Sequence, residues 1–315
     1  MRIVFYGTPA FAVPTLTRLL DAPHTVAAVV TQPDRPRGRG RSVSDSPVKQ
    51  VAAAHGLPLL QPERLRDERF LARMADLEPD LAVVAAYGRM LPDALLHTPR
   101  LGTINVHASL LPKYRGAAPV QRAIIAGEPE TGVTIIRLVQ EMDAGPMLAR
   151  SSRAIAPDET NRTVEAALAE LGAALLIDTV GKLEAGTAVE EAQDHRFATF
   201  APRLSRDDGV IDWRAPARAI HDLVRGLHPW PHACATLAGA RYLIHRTGVV
   251  HGTRRGIPPG TLLEASGERL VVATGRGDAL AILEIQLEGR RRLSARAFLA
   301  GRRWSPGQRF DNPAS

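Results

Sequence analysis

Over its first 185 residues the chain alternates between two hydrophobic periods, and no other feature restricts its fold as much. Residues 3–6, 25–31, 81–86 and 103–107 are short β-branched or apolar runs, the pattern of strands buried on both faces. Between them lie helix-like stretches. One covers residues 46–55, with Ser46 at the N-cap, Pro47 at the first helical position and Gly56 just beyond the end. Others cover 69–77 and 119–127, and a long amphipathic helix over 161–183 closes the series before Gly186. Strand–helix alternation of this kind predicts an α/β domain with a doubly wound, mainly parallel sheet over residues 1–186. Its functional site is then expected at the carboxyl ends of the strands.

Residues 187–205 are polar and aperiodic, as in a linker. Beyond them the pattern changes. A helix is expected over 216–225, then short runs at 242–245, 261–263, 270–273 and 279–285, punctuated by Gly239, Gly248, Gly260, Gly267 and Gly277. This spacing predicts a small β-barrel over residues 206–315.

Charge separates the two regions. Residues 206–315 hold 17 arginines against 10 acids, which is the whole of the net +7, while residues 1–205 are neutral. Arg matches the geometry of phosphate, so a polyanionic partner is expected on the C-terminal third, with a solvated surface as the alternative. No stretch approaches the roughly 20 apolar residues of a membrane span. The opening residues Met1-Arg2-Ile3-Val4-Phe5-Tyr6 enter a strand directly and lack a secretory signal, so a cytoplasmic protein without membrane association is expected. The single Cys234 allows no intrachain disulfide and reads as a small core residue.

The first strand runs into Gly7-Thr8-Pro9, where a dinucleotide-binding loop would need Gly-x-Gly-x-x-Gly, and this argues against a dehydrogenase. The densest chemistry lies in Thr103-Ile104-Asn105-Val106-His107-Ala108-Ser109-Leu110-Leu111-Pro112, continuing to Arg115-Gly116. Asn105 and His107 are two apart on a predicted strand, so their side chains share a face at its carboxyl end. Asp143 lies in the turn Met142-Asp143-Ala144-Gly145-Pro146, where a turn-capping role competes with a chemical one. His107 has no His or Cys companion at ligand spacing, and no metal is expected.

These segments resemble the signature of folate-dependent formyltransferases. The resemblance implies a Rossmann-like catalytic domain and an OB-fold-like C-terminal domain. It implies catalysis by Asn105, His107 and Asp143, and 10-formyltetrahydrofolate as the donor. It places Tyr87, Gly88, Arg89, Met90 and Leu91, with Ser109, Leu110, Leu111 and Pro112, in the folate pocket. In that chemistry Asn105 would donate to the oxyanion of a tetrahedral intermediate. His107 would handle protons, and Asp143 would orient the imidazole and favour its charged form.

Two further regions bear on the acceptor. The loop from Thr31 to Arg41 carries Arg35, Arg37, Arg39 and Arg41 at alternate positions and resembles the loop that the methionyl-tRNA branch of the family inserts at the acceptor end of tRNA. Phe200-Ala201-Pro202-Arg203-Leu204, Ile211-Asp212-Trp213 and Pro229-Trp230-Pro231 resemble that branch's linker and tRNA-binding domain. The implied acceptor is initiator methionyl-tRNA, bound by a monomer. A sugar nucleotide or glycinamide ribonucleotide as acceptor, and hydrolysis of the donor, are the alternatives. A non-catalytic RNA-binding protein would predict a broken Asn–His–Asp set, and all three residues are present.

Overall fold

A computed structural model describes residues 1–34, 36–37, 42–252 and 256–313. It divides into two units. The first comprises Met1–Pro119, Glu130–Ala154 and Glu165–Pro202; the second comprises Val120–Pro129, Ile155–Val164 and Arg203–Ser315. The boundaries thus differ from a simple cut after the long helix. Two short excursions of the N-terminal half belong to the second unit, and residues 187–202 belong to the first.

In chain order the strands of the first unit are β1 (Arg2–Gly7), β2 (Thr25–Val30), β3 (Pro36–Arg37), β4 (Ser42–Val43), β5 (Leu59–Leu60), β6 (Leu81–Ala85), β7 (Thr103–His107), β8 (Arg115–Gly116), β9 (Glu130–Arg137), β10 (Met147–Ala154) and β11 (Phe200–Ala201). Among the described residues seven strands form one sheet in the order β10-β9-β7-β6-β1-β2-β5. Pairing is parallel from β7 through β5 and antiparallel for β9 and β10. The chain first builds outward from β1 to β5, then restarts on the other side of β1 with β6. That reversal opens a crevice at the carboxyl ends of β1 and β6, where such sheets take their ligands. Burial explains the sequence pattern: Ile3, Val4, Phe5 and Tyr6 are all at most 1% exposed, so both faces of the central strand are covered.

The helices are α1 (Val13–Asp21), α2 (Pro47–Ala54), α3 (Glu68–Asp76), α4 (Asp93–His97), α5 (Pro119–Ile125), α6 (Asn161–Glu184), α7 (Ala217–Gly226) and α8 (Ala295–Ala300). Helix α2 starts as its sequence dictates. Ser46 Oγ accepts from the Lys49 N–H at 3.2 Å, and Pro47 follows as the first helical residue. Helix α1 carries only Thr15, Leu16 and Leu19 as its buried stripe, too short a pattern to stand out in the sequence. None of the helices among the described residues is long and apolar enough to cross a membrane.

The second unit holds β12 (Ala233–Leu237), β13 (Ala240–Val250), β14 (Leu262–Ser266), β15 (Arg269–Ala273), β16 (Ala279–Leu287) and β17 (Leu293–Ser294). They pair antiparallel in the order β12-β13-β16-β15-β14, with β17 on β16. The core contains Ile220 and Val224 of α7, Ile244, Leu270 and Ile282 of the strands, and the fully buried pair Trp213 and Phe310. Those two rings stack at 5.1 Å with 19° between planes, a contact worth about 0.5–1.5 kcal/mol beyond burial. Cys234 is buried here as expected and accepts a bond from Arg241 at 3.3 Å.

Candidate active site

Strand β7 runs through the interior of the main sheet, between β6 and β9. Asn105 sits opposite Val84 on one side and Ile136 on the other, and His107 sits opposite Thr134. The two side chains share a face, as their spacing requires. Asn105 is half-buried, and among the described residues no hydrogen bond engages its amide, which leaves the NH₂ free to donate. His107 is 5% exposed. Its Nε2 lies 3.0 Å from the Tyr114 carbonyl, and its Nδ1 lies 3.6 Å from Asp143 Oδ2. The first distance fits an N–H donating to a carbonyl. The second exceeds hydrogen-bond length but lies within range of direct charge interaction.

How Asp143 reaches His107 could not be read from sequence spacing. Arg137, the last residue of β9, is opposite Ile104 near the start of β7. The connection to β10 must therefore fold back along the sheet to bring Asp143 to the carboxyl end. Several contacts hold it there. Asp143 adopts a left-handed φ of 49°, its Oδ2 accepts from the Gly116 N–H at 2.9 Å, and a Cβ on Gly145 would collide with the Arg137 carbonyl. Gly116 itself has φ 122°, and a Cβ there would meet the Ala201 carbonyl at 2.8 Å.

Gln193, from the stretch that reads as a linker, completes this support. Its Nε2 donates to the Asp143 and Gly145 carbonyls, each at 2.8 Å. Its Oε1 accepts from Arg115 Nε at 3.1 Å and Nη2 at 2.8 Å. Arg115 is 2% exposed and also lies 3.6 Å from Glu141. Beside it β11 pairs with β8, so residues 187–202 are part of the first unit rather than a tether. No local pattern in the sequence marks Gln193. The Arg115-Gly116 pair was the one available clue, and it named only one side of the contact.

The expected folate residues divide by accessibility. Tyr87 is 1% exposed and packs edge-on against Tyr6 at 5.5 Å, so its ring belongs to the core. Burial, the largest cause, pushes its hydroxyl pKa up. Only its backbone faces the loop, and its carbonyl accepts from Gln32 Nε2 at 2.7 Å. Gly88 needs its φ of 79°, because a Cβ would meet that same Gln32 amide. Arg89 donates to the Pro62 and Glu63 carbonyls, Met90 is 56% exposed and Leu91 is buried. On the other side of β7, Ser109 is 1% exposed and donates to the Lys113 carbonyl at 2.7 Å. Leu111 is also buried, whereas Leu110 and Pro112 are half-buried. Thus Gly88, Met90, Leu110 and Pro112 keep accessible surface, whereas Tyr87, Ser109 and Leu111 are buried beneath.

Of the four loop arginines, Arg35, Arg39 and Arg41 lie outside the described residues. Arg37 lies in β3, which pairs with β4, and its side chain is likewise outside the description. The stem is described: Lys49 forms ion pairs with Asp34 on one flank and with Asp45, at 2.7 Å, on the other. These bonds raise the Lys49 pKa, Asp34 first, so the clamp stays charged at neutral pH.

Comparison with known proteins settles the family. The family model described as formyl transferase matches residues 1–180, more than half of the chain, and the formyl transferase C-terminal domain matches residues 203–303. The chain belongs to the formyl transferase family. This formyl transferase is 46% identical to the methionyl-tRNA formyltransferase of Geobacter metallireducens, covering 98% of both chains. It is 48% identical to the protein of the same name from Desulfotalea psychrophila, over 96% of this chain and 93% of that one. Its fold is also that of HypX from Aquifex aeolicus in complex with tetrahydrofolic acid, at TM-score 0.65 and 17% identity, covering 95% of this chain and 47% of HypX. An N-formyltransferase from Helicobacter canadensis, in complex with folinic acid and dTDP-3-aminofucose, matches at TM-score 0.66 and 15% identity, covering 90% and 98%.

Proposed function

We propose that this formyl transferase moves the formyl group of 10-formyltetrahydrofolate onto the amino group of methionine carried by initiator methionyl-tRNA, in the cytoplasm. The observation that carries this reading is identity of 46–48% across both units with chains named for that activity. The excess of Arg in residues 206–315 and the alternating arginines at 35–41 suit a polyanionic acceptor, which a sugar-sized acceptor would not need.

The neutral amine attacks the formyl carbon, a C–N bond forms, and the carbonyl electrons move onto oxygen. Asn105 donates its free amide N–H to that oxyanion, a contact worth about 3–4 kcal/mol in such sites. His107 handles protons; its Nε2–H exchanges the Tyr114 carbonyl for the intermediate. Asp143 steadies the imidazolium charge from Nδ1. Collapse expels the folate nitrogen, which takes up a proton while the amine loses one. Gly88, Met90, Leu110 and Pro112 form the donor's walls. No nucleophilic Ser or Cys is required, so transfer is direct. The test offers 10-formyltetrahydrofolate with methionylated initiator tRNA, free methionine, glycinamide ribonucleotide or no amine in parallel. Formylation of the tRNA alone is expected; preference for another acceptor, or formate release without any amine, would overturn the proposal.

A further inference from the structure

Three histidines that the formyl-transfer chemistry does not use converge in the second unit. His228 and His232 sit in the turn after α7, and His245 sits on β13. One ring nitrogen from each lies within 4.8 Å of the others. The ring centres are 5.5 Å apart for His228 and His232, and 4.4 Å for His232 and His245. The Nδ1 atoms of all three are buried without a hydrogen-bond partner. Buried nitrogens of this kind are normally satisfied, and three together are the donor set of a metal.

The supporting structure is specific. His245 falls where the β13–β16 register slips, between the pairs Ile244↔Ile285 and Arg246↔Glu284, and such a bulge re-aims its side chain. His245 is 8% exposed, and its Nε2 donates to Gln286 Oε1 at 2.8 Å. The Gln286 amide is oriented in turn by donating to the Arg290 carbonyl at 2.6 Å. With Nε2 carrying the proton, Nδ1 keeps its lone pair, buried and without a hydrogen-bond partner. A carbonyl behind the distal nitrogen is the support that metal-ligating histidines receive. The turn is fixed as well: the His232 N–H donates to the Leu227 carbonyl at 3.1 Å, and His232 holds φ at 72°. Burial, the largest cause in each case, lowers the pKa of all three imidazoles. Nearby charges are Arg162, and Arg292 paired with Glu284.

We propose that His228, His232 and His245 bind one zinc ion, which pins the turn after α7 to β13, with water in the fourth position. Tetrahedral zinc with Zn–N of about 2.0–2.1 Å sets nitrogens about 3.3 Å apart, so the rings need shift by roughly an ångström. Linear spacing did not disclose the site, because its third member lies 13 residues beyond the His-x-x-x-His pair and is aimed by a bulge.

The test uses the full chain, stripped with a chelator and titrated with Zn²⁺, Ni²⁺ or Mg²⁺ by calorimetry. Zn²⁺ and Ni²⁺ should bind at one equivalent and raise Tm, and Mg²⁺ should not bind. Replacing Zn²⁺ by Co²⁺ should give the visible absorption of a four-coordinate site. His228→Ala, at the more exposed ligand, and His245→Gln should each weaken Zn²⁺ binding at least about tenfold, with His228→Ala keeping the circular dichroism of the metal-free parent. Absence of stoichiometric Zn²⁺ uptake, or unchanged affinity in His228→Ala, would overturn the proposal.

Discussion

Gln193 holds the backbone of Asp143 through an amide N–H donated to its carbonyl at 2.8 Å, across fifty residues of chain. The same side chain takes two bonds from buried Arg115, so it ties the turn carrying Asp143 to the strand that supplies Gly116. Gln193→Ala removes the acceptor of a buried guanidinium and releases two carbonyls. A loss of about 1–3 kcal/mol in stability is expected, and kcat should fall several-fold while KM for the donor stays near that of the parent. Urea melts and steady-state kinetics decide this; a variant unchanged in kcat would make Gln193 purely structural.

Asn105→Ala and His107→Ala should each lower turnover by about a hundredfold or more, through the oxyanion and proton-transfer steps respectively. The Asn105 side chain makes no hydrogen bond among the described residues, and its backbone pairing with Val84 and Ile136 survives the substitution, so the variant should melt like the parent. Wild-type turnover in either variant would remove that residue from the mechanism.

Asp143→Asn separates charge from shape. Asn tolerates left-handed φ, and its side-chain carbonyl can still accept from Gly116, so the turn should survive. Turnover should nonetheless drop sharply with donor affinity nearly intact. An early-melting variant that is fully active when folded would favour the turn-capping role.

For the acceptor, Arg37→Ala, Arg39→Ala and Arg41→Ala combined should slow transfer more than they weaken tRNA binding, since the loop would position the reactive end. Affinity for charged tRNA should fall steeply with salt, and donor affinity should barely change. A salt slope as shallow for tRNA as for folate would contradict a phosphate-based interface. Deleting residues 206–315 is the poorer experiment, because Val120–Pro129 and Ile155–Val164 pack with that unit.

Asp80 is one contributor to stability toward acid. The Asp80 carboxylate accepts from the Arg2 N–H at 2.8 Å and from Arg100 at 3.0 Å, and these bonds, the backbone one first, hold its pKa below the usual value. A depressed folded-state pKa stabilises above the ordinary carboxylate range, and that contribution is lost as pH falls through the folded value. Asp80→Asn should therefore be less stable near neutrality and lose less stability below about pH 4. Denaturant midpoints followed across that range check the sign.

The sequence by itself determined the longer, strongly patterned elements and the chemistry along them. Apolar runs covered on both faces made β1, β6 and β7 legible, Ser46-Pro47 marked the start of α2, and a two-residue spacing put Asn105 and His107 on one face. Those properties follow from local periods of the chain. Tertiary structure alone decided what meets across it. A linear pattern does not contain the fold-back that brings Asp143 to His107, the capture of Arg115 and of the Asp143 turn by Gln193, the burial of the Tyr87 ring, or the bulge that turns His245 toward His228 and His232. Each depends on sheet register or on a contact between segments far apart in the chain, where side-chain direction is set by packing rather than by propensity.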